Sequence, residues 1–200
     1  MTPSTETLPG TPISTTSALE LFDRLDPVEE AFMLGSWRGS GFATDHPFDG
    51  LLELCHWHGK RFESREDVHP LVFRCADGRL SSLEPRLMTP AMGWVGSLQG
   101  LRSPLMGNLF QAVIPLLVTD RSRARLRMTR YRDVDSATMI YDHAPINDVF
   151  RRVDEDTVLG LMDLKGMEQP FFFLLRREEA LQLQPSEPGR DLPEVPGAAG

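Results

Sequence analysis

The C-terminal third of the chain alternates. Over residues 123–131, Ala124, Leu126 and Met128 are interleaved with Arg123, Arg125, Arg127 and Thr129, the period of a strand with one apolar and one polar face. A turn over Asp133–Ser136 leads into a second strand, Ala137–His143. Ile146–Val153 reads as extended chain or a short helical turn. Asp154-Glu155-Asp156 then turns the chain into a strand over Thr157–Lys165. Pro170–Arg177 is the last strand, apolar at consecutive positions from Phe171 to Leu175, as in a strand covered on both faces. Nearer the N-terminus the pattern is helical. Ser17 caps a turn carrying Leu19, Leu21, Phe22 and Leu25. Asp26-Pro27-Val28-Glu29 puts Asp at an N-cap, Pro at N1 and Glu at N3 of a short helix to Met33, closed by Gly35.

From Gly35 the chain is extended, with Gly35, Trp37, Gly39 and Gly41 on one face. Glycine in a strand marks a bend or a close approach, and a curved barrel wall around an inward Trp meets both conditions. Residues 49–58 carry a helical stripe of Leu51, Leu54, Cys55 and His58, stopped at Gly59. Leu71–Cys75, the Asp77-Gly78 turn and Arg79–Leu83 form a hairpin. Residues 85–118, rich in Met, Gly and Pro, give no clear element, and such segments serve as lids or binding loops. The first 16 residues and 185–200 are too polar and Pro-rich to bury a core. One folded domain over 17–184 follows. Short strands at regular spacing make it mainly β, a sandwich or barrel.

Composition narrows the function. The net charge of −8 argues against a general nucleic-acid binder. No apolar run is long enough for a membrane helix, and the N-terminal stretch lacks the basic and apolar regions of a signal peptide. The two cysteines, Cys55 and Cys75, exclude a disulfide scaffold, so a cytoplasmic setting is expected. There is no G-x-S-x-G elbow, H-E-x-x-H helix, phosphate loop or dinucleotide fingerprint. Cys55, His56 and His58 lack a second matched ligand pair, so no metal site is expected. One imbalance stands out. Of 21 basic residues only Lys60 and Lys165 are lysines. Each adjoins a glycine, which suggests that an ammonium is needed at both places.

Several motifs occur together: Gly35-Ser-Trp37-Arg-Gly39, His46-Pro-Phe-Asp49-Gly50-Leu-Leu-Glu53, and Trp57-His-Gly59-Lys60-Arg61-Phe62. Later come Met139-Ile-Tyr141-Asp142-His-Ala-Pro145-Ile146-Asn-Asp148, Gly160-Leu-Met162-Asp163-Leu-Lys165-Gly166 and Phe173-Leu-Leu-Arg176. Together they closely resemble the bacterial family that joins a GXWXG domain (here about 28–85) to a DUF4334 domain (about 120–177). That resemblance implies a lipocalin-like, calycin-type antiparallel β-barrel, with N-terminal helices and one short helix packed on it. It implies no catalytic mechanism. The Gly35–Gly41 stretch is also similar to the opening strand of nitrobindins, which are haem-binding barrels.

The expected function is binding of a small hydrophobic molecule, carboxylated or not, inside the barrel. Trp37, Gly39, Trp57, Tyr141, Leu161 and Phe173 are the expected lining, with 88–112 as a lid. Trp37 is alternatively a barrel-closing core residue. Lys60, Asp163 and Lys165 are the expected polar contacts. Asp163 and Lys165 share a strand face with Leu159 and Leu161, and would end an apolar wall if that face is interior. The alternative for the pair is an ordinary ion pair at a strand end. For Lys60 it is a cation at a helix C-terminus. A second hypothesis is a lyase, isomerase or cyclase in the same pocket. It would use Asp163 or Tyr141 as acid or base and Lys60 or Lys165 as electrostatic stabiliser. A third is haem held by His143, though no cofactor is the default. Asp142 and Asp148 are read as turn residues. Arg123, Arg125 and Arg127 form a basic row, a solvated face or a site for an acidic partner. The oligomeric state is open.

Overall fold

The computed structural model describes residues 11–75, 77–85, 112, 114 and 116–178. The expected lid over 88–112 and the C-terminal tail lie almost wholly outside these residues. Ten strands form one antiparallel sheet: β1 (Asp26–Pro27), β2 (Gly35–Gly41), β3 (Trp57–Phe62), β4 (Val68–Arg74), β5 (Leu80–Ser82), β6 (Ala124–Tyr131), β7 (Val134–Tyr141), β8 (Ile146–Arg152), β9 (Thr157–Leu164) and β10 (Phe171–Arg177). Eight of them, in the order β8-β7-β6-β4-β3-β2-β10-β9, close into a barrel through the β8–β9 pairing. β1 adds to β8 and β5 to β4. Closure removes the unpaired edges that an open sheet would carry.

The tight turn between β6 and β7 falls at Arg132 and Asp133, both with positive φ. This is the backbone of a two-residue hairpin whose twist matches its strands. It lies earlier than the expected Asp133–Ser136 turn, and Val134–Ser136 joins β7. β5, β9 and β10 fall within a residue of the expected strands, while β4 begins three residues before the expected Leu71.

Two layers of core result. Inside the barrel, Trp37, Phe62, Leu126, Ala137, Phe150 and Leu175 are buried in one cluster. Outside it, α1 (Thr15–Arg24) covers the outer face of β8, β9 and β10. There Ala18 and Phe22 pack with Val149, Leu159, Leu161 and Phe172. This second layer explains the unbroken apolar run Phe171–Leu175. α1 begins earlier than expected and is capped by Ser14, whose hydroxyl accepts from Ser17 N–H at 3.1 Å.

Two helical expectations are corrected. Asp26 and Pro27 are not the start of a helix but pair with Arg152 and Arg151. The helix that follows, α2, is only Glu30–Met33. Val28 N–H donates to Ser136 Oγ at 3.0 Å, and Val28 C=O accepts from Ala137 N–H at 2.8 Å. These bonds dock the segment on the barrel and outweigh the local capping signal. Likewise, the helix expected over 49–58 is α3, Leu51–Leu54. His56 ends it with φ +59°, and Trp57 already belongs to β3.

Candidate functional site

The interior is filled at one end and hollow at the other. At the filled end, Trp37 is fully buried and its indole N–H donates to Met33 C=O at 2.7 Å. The Arg177 guanidinium lies over the indole, 4.3 Å from its centroid. Trp37 thus closes the barrel. It is not among the residues that line the cavity at the other end, where the pocket reading had placed it. The hollow end holds a cavity of about 100 Å³. Its walls come from Phe48, α3, Trp57, Leu71, Phe73, Ile146, Met162, Phe171 and Phe173. Among the described residues, the polar side chains Lys60, Tyr141 and Asp148 face it.

Strict alternation would place Trp57 and Lys60, three residues apart, on opposite faces of β3. A β-bulge at Gly59 turns both inward. Gly59 has φ +152°, and a Cβ there would sit 1.9 Å from Trp37 C=O, so only glycine fits. Two other glycines make room for aromatic rings. A Cβ on Gly39 would lie 2.0 Å from the Trp57 ring, and one on Gly160 would lie 2.4 Å from the Phe173 ring. The space expected above Gly39 is real, but the indole of Trp57 fills it.

The Lys60 ammonium is nearly inaccessible. It contacts Asp148 Oδ2 at 2.8 Å and donates to Pro70 C=O at 3.1 Å. Its Nζ lies 4.9 Å from the Phe173 ring centroid, 5.5 Å from Trp57 and 5.8 Å from Tyr141. Cation–π attraction adds to the ion pair where water is excluded. Asp148 is buried, and its second oxygen, Oδ1, has no hydrogen-bond partner among the described residues. Burial raises the Asp148 carboxyl above the usual carboxylate range, against the opposing pull of Lys60. Burial, with the nearby Asp148 charge, holds the Tyr141 phenol well above its ordinary value, so it stays a neutral donor. Burial also pushes the Cys55 thiol, on the cavity wall, up to about 11.

Of the expected site residues, the barrel brings together Trp57, Lys60, Tyr141 and Phe173. It separates the rest. Leu161 packs outside the barrel under α1. Asp163, on the same outward face, is half-buried, and Lys165 is exposed. Asp163 does share a face with Leu159 and Leu161, but Lys165 lies in the turn after β9, and Val158, Gly160 and Met162 are the inward set. Their partners on β10 include Phe173 and Phe171. Asp163 and Lys165 therefore do not contact the cavity. His143 is exposed and does not line it. A cavity of about 100 Å³ without an inward histidine does not fit a haem. Arg123, Arg125 and Arg127 point outward and meet Glu84, Asp142 and Glu66, which accounts for the basic row.

Sequence reasoning missed Asp148, which is a strand residue and not a turn residue. A signal existed: Ile146, Asp148 and Phe150 alternate, so the carboxylate shares the face of two large apolar side chains. His46 is a second buried polar group, at the edge of the site. Its Nδ1 accepts from Phe48 N–H at 3.0 Å and its Nε2 lies 3.2 Å from Gln169 C=O. Burial lowers its basicity. It holds in place the loop that carries Phe48 to the cavity.

Residues 20–78 match the family model described as GXWXG protein, and residues 122–177 match Domain of unknown function (DUF4334). No curated protein matches the chain. The crystal structure of a protein from Thermomonospora curvata is similar with a TM-score of 0.62 and 36% sequence identity. The match covers 84% of this chain and 90% of that one. With both domain models matched in order and a relative this similar over most of both chains, the protein belongs to the GXWXG/DUF4334 family.

Proposed function

We propose that the protein binds a small, mostly apolar molecule in the barrel cavity, anchored by one polar group at Asp148. The observation that carries this reading is Asp148 Oδ1, buried and without a partner on an otherwise apolar wall. An unsatisfied buried acceptor costs free energy on the order of 1–3 kcal/mol, and a ligand bearing a hydroxyl or N–H would recover it. Apolar walls with a few convergent polar groups are the usual form of a small-molecule site.

The polar group is a donor and not a carboxylate. The Lys60 charge is already answered by Asp148 at 2.8 Å. A ligand carboxylate would meet Oδ1 as a like charge. This replaces the carboxylated ligand considered from sequence. The volume favours few heavy atoms, since a cavity of roughly 150 Å³ holds benzene.

Thermal-shift titration with 1-butanol and with butyrate tests the reading. A bound ligand raises stability by RT ln(1 + [L]/Kd). Butanol is expected to raise Tm in a saturable way and butyrate to leave it unchanged. Equal responses to both, or none to butanol, would overturn it.

A further inference from the structure

We propose that Lys60 forms a Schiff base with a small apolar aldehyde, with Asp148 serving as proton carrier and then as counterion. This goes beyond reversible binding but rests on the same cavity. Three observations converge on it. First, the basic side chain at this position is one of two lysines among 21 basic residues. For a buried pairing with a carboxylate, arginine offers the better bidentate geometry, but guanidinium does not release its proton and is no nucleophile. Lysine alone supplies an amine. Second, Nζ faces a cavity walled by the rings of Trp57, Phe173 and Tyr141, a lining that suits an apolar carbonyl compound and excludes competing water. Third, Asp148 Oδ2 is 2.8 Å from Nζ. That contact is a direct path along which the proton that must leave nitrogen before attack can pass to the carboxylate. The raised affinity of the buried carboxyl for protons acts in the same direction.

The chemistry balances without a cofactor. The Lys60 amine attacks the aldehyde carbon, forming the C–N bond, and a proton moves from nitrogen to the former carbonyl oxygen. The Asp148 carboxyl then donates its proton to the carbinolamine hydroxyl, and water leaves as the C=N bond forms. The products are a protonated imine on Lys60, an Asp148 carboxylate beside it and one water molecule.

The scarcity of lysine makes the test clean. The intact protein is incubated with butanal and sodium cyanoborohydride near pH 7, and the reduced adducts are located by peptide mass mapping. Lys165 is exposed and is the internal reference. Alkylation of Lys60 is expected to exceed that of Lys165 by at least about tenfold, and an excess of 1-butanol, which fills the cavity but forms no imine, is expected to suppress it selectively. Alkylation of Lys165 with Lys60 unmodified, while butanol still raises Tm, would overturn the Schiff base and leave the binding reading standing. No adduct at Lys60 together with no response to butanol would overturn both.

Discussion

Replacing Lys60 with methionine tests the electrostatic argument at the centre of the barrel. The side chain is 4% exposed and Asp148 is 1% exposed, so solvent cannot take over the role of the ammonium. Removing one partner of a buried ion pair typically costs about 3–5 kcal/mol, because the other charge is left uncompensated. Asp148 has one escape, which is to fold protonated. Holding a carboxyl neutral at pH 7 against an unfolded pKa of about 3.9 costs about 1.36 × 3.1, or about 4 kcal/mol. This sets a ceiling on the penalty. In the variant the folded state then carries one proton more than the unfolded state. The deficit therefore shrinks by about 1.4 kcal/mol for each unit of pH lowered towards 4. The double variant Lys60→Met/Asp148→Leu removes both charges and the orphaned oxygen, and replaces them with apolar volume. It is expected to be within about 1–2 kcal/mol of the parent, or more stable. Urea unfolding of the parent, both single variants and the double variant, followed by tryptophan fluorescence at pH 5 and pH 7, gives the full cycle. A Lys60→Met deficit below about 1 kcal/mol at pH 7, or one that does not change with pH, would refute the reasoning.

Three further outcomes are expected. Gly160→Ala forces the Phe173 ring off the β9 backbone, where a Cβ would lie 2.4 Å from it; a loss of about 1–3 kcal/mol and weaker butanol binding should follow, by urea titration and thermal shift. Ser136→Ala removes the acceptor of the Val28 N–H and the hydroxyl that donates to Phe150 C=O at 2.6 Å; leaving buried groups unpaired should cost about 1–3 kcal/mol in urea unfolding. His46 is held below the ordinary histidine value by burial, so below about pH 6.5 the unfolded chain binds a proton that the folded chain resists. Stability should therefore fall as pH drops from 7.5 to 5.5, and His46→Gln should flatten that slope; an unchanged slope would show that His46 does not carry it.

The legible and illegible parts of this fold differ for a physical reason. The strands β6, β7 and β9 were readable because alternation is a local property, set by the pleat, and β10 because its apolar run marks a strand covered on both faces, while β8 was left open between extended chain and a helical turn. Which face turns inward is not local. Along β9 both faces are apolar, since Val158 and Met162 meet the barrel interior while Leu159 and Leu161 meet α1. Asp163 was therefore assigned to the right face of the strand and the wrong side of the wall, and Lys165 falls beyond the strand, in the turn after Leu164. The two misread helices failed for another reason. Asp26-Pro27-Val28-Glu29 is a sound capping signal overruled by pairing with β8. The stripe Leu51, Leu54, Cys55 and His58 runs through a bulge that no periodicity could announce. The bulge also hid the fact that Trp57 and Lys60 face the same cavity. Lys60 itself was found by composition, through its rarity. Asp148 was lost by reading a strand residue as a turn residue.

The sealed end of the barrel has a kinetic consequence. Among the described residues, Trp37, Met33 and Phe62 fill one end, so for a guest of the kind proposed the interior would be a cul-de-sac and not a conduit. A guest departs by the route along which it arrived. A change that narrows this route slows arrival and departure by the same factor and leaves the equilibrium constant untouched. If the cavity binds a guest as proposed, its residence time and its affinity would therefore be set separately: the first by the route in, the second by contacts with Lys60 and Asp148.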